Sequence, residues 1–305
     1  MRTLFISGAA FHIFLEMGAL KHILSLSSFE TFFGTSSGAY LSLALVLGWT
    51  PDALLKWMID HAEENQNDLN ESYLRLFYSG SLISKEGQSR FIVRMIQDSP
   101  IYLKYFLGKD PAQITFEELS KVTSKRFLCN AVCYETTEFH IFSFETTPTL
   151  PVNTAVMASM SLIGMFQPTE IDGFKFIDGA FISHYALVLF DPNSELYYKN
   201  KYDVSLPINI DLSWGCLKIT KNILYGSNAV RSGKWSFWSL IEFIPKLHDY
   251  FYAINIRDGL SRIMNRTWIV NNKNIQSKRI PSVKEALELF DQGYHQALQQ
   301  GNLDL

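Results

Sequence analysis

Cysteine is scarce in this chain. Cys129, Cys133 and Cys216 are the three present in 305 residues, and their spacing suits neither a zinc site nor a disulfide framework. Buried thiols in a reducing compartment are therefore expected. An excess of one charge is also missing: a formal net charge of -3 with 19% charged residues gives no field that gathers nucleic acid or an anionic surface. Nor is there a long apolar run. Residues 41–49 are too few to span a bilayer, and residues 235–252 are interrupted by Glu242, Pro245, Lys246, His248 and Asp249. Residues 4–15 follow Arg2 as a signal peptide would, yet Ser7, Gly8 and His12 break the run, Glu16 follows it and no cleavage site appears. That stretch reads as a first buried strand. With no repeat, low-complexity tract or linker, and 47% hydrophobic composition, the expectation is a single domain over 1–305 with a large core.

What is present centres on Gly34-Thr35-Ser36-Ser37-Gly38, a Gly-x-Ser-x-Gly turn between an aromatic run at 30–33 and an apolar helix at 39–47. Such a turn is too sharp for side chains at its flanking positions, which is why glycine is wanted at Gly34 and Gly38. It lifts the hydroxyl of Ser36 clear of the backbone and aims a helix N-terminus at any developing oxyanion. Ser36 therefore reads as a nucleophile, and a serine near neutral pH needs a base within hydrogen-bond reach.

The surrounding pattern is α/β. A β-type run at 3–6 breaks at Ser7-Gly8-Ala9-Ala10; a helix carrying Leu15, Ala19, Leu20, Ile23 and Leu24 leads to the elbow strand, which implies parallel neighbours and a loop at a strand's C-terminal end. Thr50-Pro51-Asp52 starts a helix expected to run to about Glu64, followed by a polar loop at 65–70. Further helices are expected after Ser84 and from the capping box Thr115-Phe116-Glu117-Glu118. The run 101–107 is aromatic enough to be core or a lipid-facing loop. Residues 126–144 read as a hairpin turning at Thr136-Thr137, residues 153–160 as a helix, and Asp172-Gly173 as a tight turn delivering residues 174–177 to Asp178-Gly179-Ala180. A strand signal lies in 203–220, and 235–263 and 282–299 read as mainly helical.

In a Ser-Asp-His hydrolase the histidine follows the acid, and His184, His248 and His295 all follow Asp178. The elbow's place in the chain argues against that arrangement, because an α/β-hydrolase sheet lays down several strands before its nucleophile. No metal or nucleotide is expected: His61, His140, Glu63 and Glu64 form no metal spacing, and the 34–38 loop lacks the lysine of a phosphate-binding loop.

Four ordered motifs, Ser7-Gly8-Ala9-Ala10, Gly34-Thr35-Ser36-Ser37-Gly38, Ala158-Ser159-Met160-Ser161 with Phe166 and Pro168 downstream, and Asp178-Gly179-Ala180, resemble those of the patatin-like phospholipases over roughly residues 3–190. The resemblance implies a three-layer α/β/α fold with a central mixed, mainly parallel sheet, here extended by C-terminal elements at about 200–305. It further implies hydrolysis of lipid acyl esters by a serine-aspartate dyad, with Ser36 as nucleophile, Asp178 as base, and the amides of Gly8, Ala9 and Ala10 as the oxyanion hole. Departures are visible: Ala9 and Ala10 replace glycines, His12 stands where arginine or lysine is usual, Ile13 replaces glycine, Ile163 replaces proline, and His184 and Ala186 replace asparagine and proline. An alanine at any of these loop positions needing positive φ costs about 1 kcal/mol or more, and His12 is a candidate substitute donor.

Two other readings stay open at this point, a catalytically silent scaffold of the same family that binds lipid or a protein partner, and a Ser-His-Asp esterase. The expected partner is a phospholipid or other acyl lipid met at a transient membrane surface, with Trp235, Phe237, Trp238, Phe243, Tyr250, Phe251 and Tyr252 as an interfacial patch. No nucleic acid is expected. The missing signals and the cysteine count place the chain in the cytoplasm as an expectation.

Overall fold

A computed structural model of the chain describes residues 1–72, 75, 78–192, 206, 208–219, 263–271 and 281–303. The aromatic patch at 235–252, His248 and the helical reading of 235–262 lie outside the described residues.

The first strand, β1 (Thr3–Ile6), is buried along its whole length, which the unbroken Leu4-Phe5-Ile6 run demands. After a 3-10 turn at Ala10–His12, helix α1 (Ile13–Leu26) returns the chain to β2 (Thr31–Thr35), and α2 (Ser37–Val46) follows through the elbow with every residue buried. A helix apolar on all faces has no other place to go. Next come α3 (Pro51–Asp60), capped by Thr50, and α4 (Ala62–Asp68). The polar stretch expected as a loop is therefore helical as far as Asp68. Its polarity faces inward for a reason: buried Asp68 accepts from Arg90 and Arg94, and buried Asn65 accepts from Arg94 at 2.9 Å. Those arginines belong to α5 (Lys85–Gln97), capped by Ser84.

The 101–107 run is divided by helix α6 (Pro100–Tyr105), with Tyr102 and Phe106 buried in the core and Leu103, Tyr105 and Leu107 exposed. Helix α7 (Phe116–Val122) carries the complete capping box of Thr115 and Glu118. Strands β3 (Arg126–Cys133) and β4 (Phe139–Ser143) pair antiparallel, then α8 (Val152–Ser159) leads to β5 (Thr169–Ile171) and β6 (Phe174–Asp178). Asp172 and Gly173 turn that second hairpin with φ of 52° and 82°, the left-handed pair a two-residue turn requires. Beyond residue 190 lie β7 (Ser213–Ile219), an unforeseen β8 (Thr267–Asn271), and α9 (Val283–Gln300).

The strands form one mixed sheet in the order β5-β6-β3-β2-β1-β7-β8, with β4 also on β3. The β1–β2, β2–β3, β1–β7 and β7–β8 pairs are parallel, and those made by β4, β5 and β6 are antiparallel. Alternation along β1 divides the core: Leu4 and Ile6 join the face covered by α1 and α2, whereas Phe5 joins Phe33, Leu128 and the segment 185–189 on the other. The result is a three-layer α/β/α fold. All three cysteines are buried free thiols. Among the described residues no single helix is long and apolar enough to cross a membrane.

Candidate active site

Ser36 follows β2 directly and is the N-cap residue of α2 with φ 55° and ψ -126°, a conformation that costs a non-glycine residue of order 1–3 kcal/mol. The flanking glycines permit it by close approach. A Cβ on Gly34 would stand 2.1 Å from the Gly38 carbonyl oxygen, and one on Gly38 would stand 2.3 Å from that of Ile6. The Ser36 amide donates to Ser159 Oγ at 2.9 Å, which fixes the elbow from the end of α8.

Sheet register then supplies the partner. Thr35 pairs with Asn130, and the next residue of β3, Ala131, pairs with Asp178. Adjacent rungs of one strand thus bring residues 142 positions apart together, and Ser36 Oγ donates to Asp178 Oδ2 at 2.6 Å. The other carboxylate oxygen accepts from the Ala180 amide at 2.8 Å. Asp178 is buried, and that burial pushes its pKa up to about 7 against the opposing pull of the Ser36 and Ala180 hydrogen bonds. A carboxyl poised there can exchange a proton near neutral pH.

Asn130 and Ser159 escaped the sequence reading as functional residues. Asn130 Oδ1 accepts from Thr35 Oγ1 at 2.7 Å, while its amide nitrogen lies 2.1 Å from where a Gly179 Cβ would be, so one side chain touches a neighbour of each dyad member. A polar residue at the centre of the apolar 127–133 run is the signal that marks it.

The structure gives two of the three amides of the expected oxyanion loop acceptors of their own. Gly8 N–H donates to the His184 carbonyl at 2.9 Å and Ala9 N–H donates to Ser37 Oγ at 2.8 Å, so both amides already hold acceptors. Ala10 N–H has none among the described residues, and Ala10 lines the cleft beside Ser36 with φ 47°. Of the two alanines that replace glycines, Ala10 is the one in the left-handed region, at a cost of about 1 kcal/mol, while Ala9 has φ -129°. The Ser37 and Gly38 amides precede the first bond of α2, from Ala39 N–H to the Ser36 carbonyl. His12 is buried and is not among the cleft's described walls. Of the histidines, His184 lies close to the elbow, since a Cβ on Gly8 would stand 3.0 Å from His184 Nδ1 and 3.3 Å from Ser36 Cβ, and His295 is exposed on α9. It is Asp178 that receives the Ser36 hydroxyl proton's hydrogen bond.

The cleft occupies about 1000 Å³ including its open mouth, with Phe11, Phe14, Met58, Phe91, Met165 and Phe166 among its walls. Among the described residues no group of three or more His, Cys, Asp or Glu side chains could hold a metal ion.

Residues 4–190, more than half of the chain, match the patatin-like phospholipase family. The chain belongs to that family. The Uncharacterized protein R571 of Acanthamoeba polyphaga mimivirus is 26% identical over 196 residues, covering 63% of this chain and 62% of that one. The Probable lipid hydrolase 463L of Invertebrate iridescent virus 6 is 26% identical over 181 residues, covering 58% and 59% respectively. The chain thus spans about three fifths of the length of these curated relatives. Among solved structures, VipD from Legionella pneumophila superposes with a TM-score of 0.52 at 12% identity, covering 99% of this patatin-like chain and 66% of that protein, a likeness of fold.

Proposed function

We propose that this patatin-like protein hydrolyses acyl esters of lipids, of the phospholipase A or lysophospholipase type, through an acyl-enzyme on Ser36 with Asp178 as its base. The observation that carries this reading is the 2.6 Å hydrogen bond from Ser36 Oγ to Asp178 Oδ2 at the edge of an apolar cleft. The printed name of the iridescent-virus relative, a lipid hydrolase, supports it.

Ionised Asp178 takes the hydroxyl proton as Ser36 Oγ attacks the ester carbonyl, and the amides of Ala10, Ser37 and Gly38 are the donors left for the oxyanion. Asp178 then returns the proton to the departing alcohol. In the second half it deprotonates a water that attacks the acyl-serine carbonyl, then returns that proton to Ser36 Oγ as the fatty acid leaves. The substrate is a phospholipid or other acyl lipid met in transient contact with a membrane surface inside the cell, a setting the buried free thiols favour.

Intact-mass analysis after fluorophosphonate treatment, with mixed lipid vesicles present, tests the proposal. One adduct is expected, absent in Ser36→Ala and formed at least about 100-fold more slowly in Asp178→Asn. No adduct on the unmodified chain would replace the hydrolase reading by that of a silent lipid- or protein-binding scaffold, for which the engaged amides of Gly8 and Ala9 would be the cause. An Asp178→Asn variant that reacts at the full rate would remove the dyad.

A further inference from the structure

The cleft at Ser36 has a wall that the family-matched segment does not supply. Besides residues of the first loop, α4 and the segment after α8, its lining includes Pro281, Val283 and Ala286 at the start of α9, far beyond residue 190.

That wall is fixed. Helix α9 crosses α1 with backbone against backbone: a Cβ on Gly293 would stand 1.9 Å from the Leu15 carbonyl oxygen, and one on Gly18 would stand 1.9 Å from that of Phe290. At its far end Gln296 and Gln300 pair with the β8 backbone, each side-chain amide both donating to and accepting from one residue, Asn271 and Ile269 respectively, at 2.7–2.8 Å. At its near end the capping box of Ser282 and Glu285 closes the first turn. The same α1 begins at the Ala10–His12 turn, so one helix pair carries both the loop beside Ser36 and the cleft's C-terminal wall.

Among the described residues the lining is polar at Ser36, Ser37, Asn65 and Gln66 and otherwise apolar, with no cationic side chain to receive a phosphate. An unbranched aliphatic chain is the chemistry such a surface accepts. Ala286 is buried in this wall and is its smallest side chain there, so the space before it is space a larger residue would fill. We propose that the first turn of α9 is the specificity-determining wall for the acyl chain of the substrate and that Ala286 sets the length of chain accepted. The proposal rests on Ser36 as the acyl-accepting nucleophile.

The test reads binding and turnover separately. Binding of palmitate and of octanoate is measured by displacement of a fluorescent fatty acid from the full chain carrying Ser36→Ala, with and without Ala286→Phe. Hydrolysis of the matching p-nitrophenyl esters is measured with Ser36 intact. Ala286→Phe is expected to weaken palmitate binding roughly tenfold or more and leave octanoate within about threefold, with the same split in kcat/KM. Equal palmitate affinity with and without Ala286→Phe would overturn the proposal. Should Ala286→Phe lose its near-UV circular dichroism, Val283→Trp replaces it, since Val283 is exposed at the cleft and a larger side chain there burdens the fold little. Unchanged palmitate affinity in Val283→Trp would likewise overturn the proposal. The binding split in the Ser36→Ala background, together with no ester cleavage by the chain with Ser36 intact, would support this wall and reject the hydrolase reading, so the two failures are distinct.

Discussion

A carboxyl group that must lose a proton before it can take one ties activity to pH. Asp178 has to be ionised to receive the Ser36 proton, and burial lifts its pKa to about 7. The rate of fluorophosphonate labelling is therefore expected to fall about tenfold per pH unit below roughly pH 7 and to level off above it. Stability runs the other way. With the folded pKa above the ordinary 3.8, the neutral carboxyl favours the fold fully below about pH 4, and that contribution is lost as pH rises through 7. Asp178→Asn removes the buried charge, so its thermal midpoint is expected to exceed that of the parent at pH 8, by an amount equivalent to roughly 2–4 kcal/mol, with the gap closing toward pH 4. Equal midpoints at pH 8 would contradict the burial argument. Ser36 and Ala10, with φ of 55° and 47°, add backbone strain at the same place, held there by the Ser159 bond and the packing of Gly34 and Gly38.

Elements meet at this site through glycine rather than through large side chains. Gly34 and Gly38 let the first turn of α2 rest on β1 and β2, and Gly18 and Gly293 let α9 rest on α1. At Gly293 the added methyl group would meet a carbonyl oxygen inside a helix, which no rotamer relieves. Gly293→Ala is expected to cost about 2 kcal/mol or more in urea denaturation. A change under about 0.5 kcal/mol would show that the crossing relaxes freely. The glutamine pairs beside it have a second consequence, since among the described residues β8 is the last strand of the sheet, and the backbone groups of an edge strand are the kind that recruit other chains. Gln296 and Gln300 satisfy two of its residues in strand-like fashion.

The sheet does not stop where the family match stops. β7 and β8 continue it beyond β1, and α9 covers α1 from the same side of the chain. A fragment ending at residue 190 would turn β1, buried along its length, into an edge and strip α1 of its largest partner. Such a fragment is expected to be insoluble or to bind a hydrophobic dye without a cooperative unfolding transition; cooperative two-state unfolding of residues 1–190 would show the matched segment to be self-sufficient. At the opposite end of α2 from Ser36, about 15 Å along the helix, Ile101 N–H donates to the Leu47 carbonyl, so the exposed Leu103, Tyr105 and Leu107 belong to a surface remote from the nucleophile.

By itself the sequence determined the local events. The elbow glycines, the Thr50 and Thr115 caps, the Asp172-Gly173 turn and the buried run of β1 each follow from sterics or hydrogen bonding within a few residues, so they were legible without a neighbour. Ser36 and Asp178 were legible as candidates because glycine beside a functional side chain is a local signal and because four motifs occur in family order. Tertiary structure decided what long-range contacts decide. The register of β3 joins Ser36 to Asp178, while the carbonyl of His184 and the hydroxyl of Ser37 engage two of the three amides expected for the oxyanion. Helix α4, whose 65–68 stretch reads as a polar loop, continues to Asp68 because Arg90 and Arg94 arrive from another element to pair with its inward polar face. The cleft wall at Ala286 likewise depends on a helix crossing between residues far apart in the chain, and no period or motif along a single segment records which helix another will touch.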